Sequence, residues 1–184
     1  MATVKDHRVT KFHAALGASG RSAEIPESDD AYGWLVGSWE LDVRRYWGVD
    51  VSGEGITGEV HAGRTLEGRA IQDVWIMPPR GERSVSLDKR RNMYGTTIRA
   101  WDSSIRAWRI TWINPAGDHF EQQIGRRCGD QIVQVGARPD GMPTRWRFTE
   151  VTAESFHWLG ESLAPDGITW NLEGEFLAKR THLK

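Results

Sequence analysis

The sequence predicts an all-β protein, a roughly ten-stranded antiparallel up-and-down barrel preceded by a short helical segment. Three observations predict it. Apolar and polar residues alternate in run after run: from Arg106 to Ile113, Trp108, Ile110 and Trp112 share one side and Arg109 and Thr111 the other, the period of a half-buried strand. Turn-forming pairs such as Gly129-Asp130 and Asp140-Gly141 punctuate the runs at the spacing of a meander. Ten tryptophans among 184 residues make one face of the sheet heavily aromatic, and closing the sheet buries that face. The interior so formed is either a packed core or a ligand cavity.

Residues 1–30 read as an N-terminal arm and linker, and residues 31–184 as the barrel. Within the arm, 9–16 predicts a short helix ended by Gly17, and 18–28, rich in small and charged residues, a mobile linker. Ser28-Asp29-Asp30 caps a second short helix through Tyr32, Trp34 and Leu35 that ends at Gly37. Strands are expected over 39–47, 55–63, 68–77, 95–102, 106–114, 119–128, 131–138, 143–151, 155–162 and 168–180.

Composition excludes several function classes. The formal net charge of -1 gives no basic excess for nucleic acid or an anionic membrane surface. No apolar run approaches the roughly 18 residues of a membrane span, and the opening residues lack a signal-peptide pattern, so a cytoplasmic protein is expected. The single cysteine, Cys128, excludes an intramolecular disulfide and a Cys-rich zinc site, and its place beside the Gly129-Asp130 turn marks a strand end. The usual nucleotide, acyl-transfer and zinc-protease motifs are absent, so neither metal nor cofactor is expected.

Hairpin loop length fixes which residues face each other. Trp101 then opposes Trp108, which sets Thr97, Arg99 and Trp101 on the face of Ile110 and Trp112. Gly129-Asp130 pairs Ile124 with Val135, and Asp140-Gly141 pairs Val135 with Trp146. Three-residue loops at 152–154 and 165–167 pair Phe148 with Trp158 and Trp158 with Gly174. The inner face therefore holds Phe120, Gln122, Ile124, Val133, Val135, Trp146, Phe148, Phe156, Trp158, Trp170, Leu172 and Phe176. His119, Glu121, Gln134, Arg145, Arg147, His157, Glu161, Glu173 and Glu175 fall outside, as cross-strand ladders on a solvated exterior. For His119 and Glu121 the assignment hangs on the loop after Asn114: a four-residue loop brings His119 opposite Trp112 and reverses it.

Polar residues among the aromatics carry the functional information. Arg99 needs a carboxylate, a hydrogen-bonded network or an anionic ligand group as partner. Asp73, alternating with Trp75 and Met77, is the candidate carboxylate, and Gln122 lies nearby on the same register. The set reads either as a structural buried pair or as a polar anchor for a mostly apolar ligand. The aperiodic stretch 78–93, with Arg80, Arg83, Lys89, Arg90 and Arg91, reads as a portal or as a solvated connection.

Gly37-Ser38-Trp39 opening the first strand, with Lys179-Arg180 closing the last, resembles the calycin pattern of lipocalins and related barrels. The stretches Tyr94 to Asp102 and Trp108 to Pro115 resemble a bacterial family of lipocalin-like small barrels, related in architecture to fatty-acid-binding proteins and nitrobindins. Over residues 33–180 the resemblance implies a calycin-like barrel with a pocket for a small apolar or aromatic ligand, and a tryptophan at the closed end beneath a late arginine. The nitrobindin likeness raises haem, whose ligand there is a histidine near the C-terminus; His182 falls after the last strand, so no cofactor is expected.

The first functional reading is a barrel that binds a small hydrophobic or aromatic molecule. Trp75, Trp101, Trp112, Trp146 and Trp158 form its walls, and Arg99, Gln122 and Asp73 its polar anchors. The second is a cofactor-independent isomerase, dehydratase or cyclase acting on a small apolar or polyketide- or terpene-like substrate. There Asp73 is the base, Arg99 stabilises developing charge, and His119 with Glu121 is an acid/base pair. A third is an interaction domain whose aromatics fill the interior. A homodimer through a barrel edge or the N-terminal arm is a further expectation.

Overall fold

In the computed structural model, residues 11–84 and 91–182 are described. The chain runs α1 (Lys11–Leu16), β1 (Gly17–Ala18), β2 (Gly37–Tyr46), β3 (Val49–Asp50), β4 (Thr57–Thr65), β5 (Ala70–Met77) and β6 (Met93–Asp102). It continues through β7 (Ala107–Asn114), β8 (His119–Cys128), β9 (Gln131–Ala137), β10 (Pro143–Thr149), β11 (Ser155–Leu163) and β12 (Trp170–Thr181). Consecutive long strands pair antiparallel, and β2 pairs with both β4 and β12, so ten strands close into an up-and-down barrel. No helix among the described residues is long and apolar enough to cross a membrane. Of the basic stretch expected between β5 and β6, Lys89 and Arg90 lie outside the described residues, as do the first two residues of the helix expected over 9–16.

The N-terminal segment departs from the linker expected over 18–28. Ser22 donates its N–H to the Gly68 carbonyl at 3.1 Å, and Ile25 is completely buried. Burying that side chain contributes about 2 kcal/mol, which is what holds a Ser/Gly-rich stretch against the barrel. The second expected helix resolves into two single 3-10 turns, Glu27–Asp29 and Gly33–Leu35, between which Ala31 and Tyr32 turn inward. Tyr32 meets Trp108 edge-on at 5.3 Å between ring centroids, and the Trp108 indole donates to the Asp29 carbonyl at 2.9 Å. This segment plugs one end of the barrel.

Arg180 locks the plug. Its Cζ lies 4.0 Å from the Trp39 ring centroid, and its guanidinium donates to the carbonyls of Val36 (2.9 Å), Trp34 (2.7 Å) and Ala153 (2.6 Å). Gly37, at φ +131°, has no Cβ to obstruct the guanidinium, which explains the glycine two residues before Trp39. The tryptophan-beneath-arginine contact implied by the Gly37-Ser38-Trp39 resemblance is therefore present.

Three of the expected registers hold: Trp101 faces Trp108, Ile124 faces Val135, and Phe148 faces Trp158. Trp158 faces Phe176 rather than the expected Gly174, which pairs with Gly160 instead. Two others shift by one residue. After Asn114 the loop is a 3-10 turn, Pro115–Gly117, followed by Asp118 at φ 53°, and the chain returns after four residues with His119 opposite Asn114 and Glu121 opposite Trp112. The β9–β10 loop holds five residues, 138–142, closed by Arg138 N–H to Met142 C=O at 2.9 Å, so Val135 faces Arg145 and Gln134 faces Trp146. The β8–β9 hairpin is consequently turned over as a unit. His119, Glu121, Gln123, Ile132 and Gln134 point inward, while Phe120, Gln122, Ile124, Val133 and Val135 point outward. A bulge at Gly160/Glu161 likewise turns Trp170 and Leu172 out, where the Arg145 guanidinium lies 4.4 Å from the Trp170 ring.

The rest of the exterior carries the expected ladders, apart from Glu173, which lines the interior instead. Arg147 grips Glu161 in fork geometry, both contacts at 2.9 Å, and His157 meets Glu175 at 2.9 Å. On β4, the Arg80 side chain holds the Glu59 carboxyl down at about 2, against desolvation and with help from the Arg80 backbone N–H and His61.

Arg180→Ala is expected to lower unfolding free energy by about 2–3 kcal/mol in urea denaturation, because it removes the cation–π contact and leaves three carbonyls without their donor. Glu59 is depressed in the folded state, so its pair with Arg80 contributes stability above the ordinary glutamate range and loses it as pH falls toward about 2. In Arg80→Gln the Glu59 carboxyl resonance should titrate higher, toward its ordinary value of 4.5, by carbon-detected NMR.

Candidate functional site

Beyond the plug, the other half of the barrel is hollow. The cavity measures about 80 Å³ and reaches the surface beside Trp47, which is 42% exposed. A void of roughly 10–15 Å³ holds one water, so this one has room for several waters or the body of one small molecule.

Its walls are aromatic because inward positions on β5, β7, β10, β11 and β12 carry Trp75, Trp112, Trp146, Trp158 and Phe176. Neighbouring rings stand at steep angles: Trp112 to Trp146 at 80°, Trp146 to Trp158 at 64°, Trp75 to Trp158 at 53°. Trp158 and Phe176 alone among these pairs lie parallel, at 14° and 4.9 Å. Space for the Trp158 ring comes from two glycines paired across β11 and β12, Gly160 and Gly174; a Cβ on either would sit 2.6 or 2.8 Å from that ring. The Trp75 indole N–H is buried without an acceptor among the described residues.

Behind these rings runs a chain of buried polar groups. Arg99, inward on β6, donates to the Asp73 carboxylate on β5, which also accepts the Thr97 N–H at 3.2 Å. Both side chains are essentially inaccessible. The Arg99 guanidinium is covered by the rings of Tyr32 (5.0 Å) and Phe148 (5.7 Å). Burial pushes the Tyr32 phenol above its usual range, against the pull of the Arg99 charge. From Arg99 the chain continues through its Nε–H to Gln134 Oε1 (3.4 Å), Gln134 Nε2 to Gln123 Oε1 (2.9 Å), and Gln123 Nε2 to Glu121 Oε1 (2.6 Å). Thr144 also donates to Glu121 Oε1, and His119 Nε2 stands 3.1 Å from Glu121 Oε2.

The direction of every bond follows from its ends. Arg99 has only donors, which fixes both glutamine amides and leaves Glu121 to accept. At the other end the Trp112 indole, also only a donor, gives its hydrogen to His119 Nδ1 at 3.2 Å. His119 Nε2 therefore carries the proton and donates it to Glu121.

Compared with family models and with curated proteins, the chain matches none. What the protein does has to be judged from the chemistry of its cavity.

Of the wall residues expected from sequence, Trp75, Trp112, Trp146 and Trp158 line the cavity. Trp101 instead packs against Trp108 (5.7 Å) at the plugged end, and Gln122 is exposed on the exterior; Gln123 takes the inward place. Asp73, Arg99, His119 and Glu121 are joined in one network, with Arg99 and His119 on the cavity wall. Trp47, Phe176 and Gln134 join the site without being marked as site residues by the strand pattern, and the five-residue β9–β10 loop is the signal that turns Gln134 inward. At the mouth, Arg138 pairs with Glu173 and lies 5.2 Å from the Trp47 ring; burial raises the Tyr46 phenol beside it to about 12. Haem does not fit: His182 is exposed and bonded to Glu154 at 2.8 Å, and His119 has both ring nitrogens engaged.

Arg99→Met strands a buried carboxylate and the Gln134 acceptor, and should cost about 3–5 kcal/mol. Arg99→Met combined with Asp73→Leu removes both charges and should regain part of that loss. Urea unfolding curves of the single and double variants compare the two.

Proposed function

We propose that the protein binds a small apolar or aromatic molecule inside the barrel. The observation that carries this reading is the void itself: five aromatic side chains stand around unfilled space where a structural core would have closed on it. The two glycines under Trp158 support it, since they let that ring lie close against β11 and β12 as a wall of the cavity. The polar network behind the walls holds them in fixed orientation, as a preorganised site requires. The calycin-like resemblance points the same way.

A second reading is favoured by one observation, the presence of His119 in the cavity wall with Glu121 behind it. A histidine oriented by a buried carboxylate is the arrangement of a general base. In this arrangement Nδ1 is the nitrogen with a lone pair, and it is held by Trp112. Acid/base chemistry on a substrate therefore requires the Trp112 indole to rotate away, so that a substrate C–H or O–H takes its place as donor to Nδ1. Mass spectrometry of a bound ligand before and after incubation separates the readings: conversion abolished by His119→Gln indicates an enzyme, and an unchanged ligand a binder.

Trp158→Ala should weaken binding at least about tenfold, because it removes one face of the box and the ring that stacks on Phe176. Native mass spectrometry of the purified protein, followed by tryptophan-fluorescence titration with a panel of small aromatics, measures it. A protein that carries nothing and whose emission responds to none of them overturns the reading.

A further inference from the structure

The charge of the cavity narrows the class of guest beyond what its shape allows, given the small-ligand reading above. Two chains of hydrogen bonds converge on Glu121, one from Arg99 through Gln134 and Gln123, the other from Trp112 through His119. Each begins at a group that can only donate, so the bonds that reach Glu121 from Gln123 and from His119 each bring a hydrogen. A protonated carboxyl could give its hydrogen only to Thr144, which already accepts from Gln123 at 3.4 Å and whose own hydrogen would then lose its acceptor, Glu121, among the described residues. Glu121 is therefore a carboxylate, completely buried, and the histidine beside it is neutral because Nδ1 accepts from Trp112.

The positive charges nearby are already committed. Arg99 is paired with Asp73, and Arg138 at the mouth with Glu173. The interior around the cavity thus keeps one negative charge without a counter-ion among the described residues. Isolated buried charge is unfavourable, and a cation arriving in the cavity would relieve it.

The walls suit the same guest. Trp75, Trp112, Trp146 and Trp158 surround the void with rings inclined to one another at 53–80°, a box rather than a stack. Ring quadrupoles attract a cation that is too large and too weakly hydrated to remain in water, which is the character of alkylated ammonium groups. A carboxylate ligand, by contrast, would find both arginines occupied and would be repelled by the Glu121 charge behind His119. We infer that the cavity takes an organic cation, a quaternary or tertiary ammonium on a small apolar body.

The test compares three probes of one shape on the unaltered protein by isothermal titration calorimetry: choline, dimethylbutanol, in which a carbon replaces the nitrogen, and tert-butylacetate. Choline should bind about tenfold or more tightly than the alcohol, and the carboxylate weakest. Equal or tighter binding of the alcohol or the carboxylate overturns the cation assignment while leaving a small-ligand cavity intact. Binding of none overturns the cation assignment, and the panel of small aromatics then decides the small-ligand reading separately. Glu121→Gln, checked for folding by circular dichroism, should narrow the preference for choline over the alcohol to what the rings alone supply; a preference undiminished in the folded variant overturns the role given to Glu121. The three-probe comparison stands whether or not that variant folds.

Discussion

Arg99 carries five N–H groups and no acceptor, and the register of β6 sends it into the interior, where each must find a protein oxygen or a ring face. Asp73 takes the charge, Gln134 takes the Nε hydrogen, and the rings of Tyr32 and Phe148 cover the planar faces. These partners come from β5, β9, β10 and the N-terminal segment, so one side chain ties the plug to strands on different sides of the barrel. Removing a guanidinium from water costs several kcal/mol, which these contacts must offset together. The orientation of Gln134 and Gln123, and so the donor presented to Glu121, follows from Arg99 being where it is.

The barrel is thereby divided. On one side of Arg99 the aromatics interlock: Tyr32, Trp34, Trp39, Phe148 and Phe156 meet edge-on at 4.9–6.2 Å and fill the space. On the other side similar rings, at similar separations from their neighbours, surround a void, with Gly160 and Gly174 making room for the Trp158 ring. The same residue type makes a core at one end and walls at the other, and the difference lies in whether a plug segment supplies the missing filler.

Strand positions, closure and the aromatic interior are legible in the sequence because alternation and turn residues are local signals with a fixed period. Inward and outward assignments are less legible, because parity depends on counting loop residues. The β8–β9 hairpin illustrates this: its own two-residue turn predicts the pairing within it, yet a four-residue turn before it and a five-residue loop after it reverse both strands. The composition of β8 favours the wrong answer, since Phe120 and Ile124 are the apolar choice for a core and His119, Glu121 and Gln123 the polar one. Burial of the polar set is comprehensible only once Arg99 and Trp112 are seen as donors needing a terminus, a tertiary requirement that no strand records by itself. Trp101 departs from its expected place for a different reason: facing inward does not say at which end of the barrel a side chain lies.

Closure of β2 against β12 joins residues 38–45 to residues 175–181, near the two extremes of the barrel sequence. No sub-assembly of fewer strands can satisfy both margins of the sheet, since β12 is the last barrel strand to leave a ribosome and β2 among the first. Until it arrives, β2 and β11 each expose a row of unpaired backbone groups, the kind of margin to which other chains add. The chain must therefore keep an open, aromatic sheet from pairing with others throughout synthesis, and the high sequence separation of its closing contact makes that interval long. In the finished barrel the ring of backbone bonds is complete, and that hazard is confined to the nascent state.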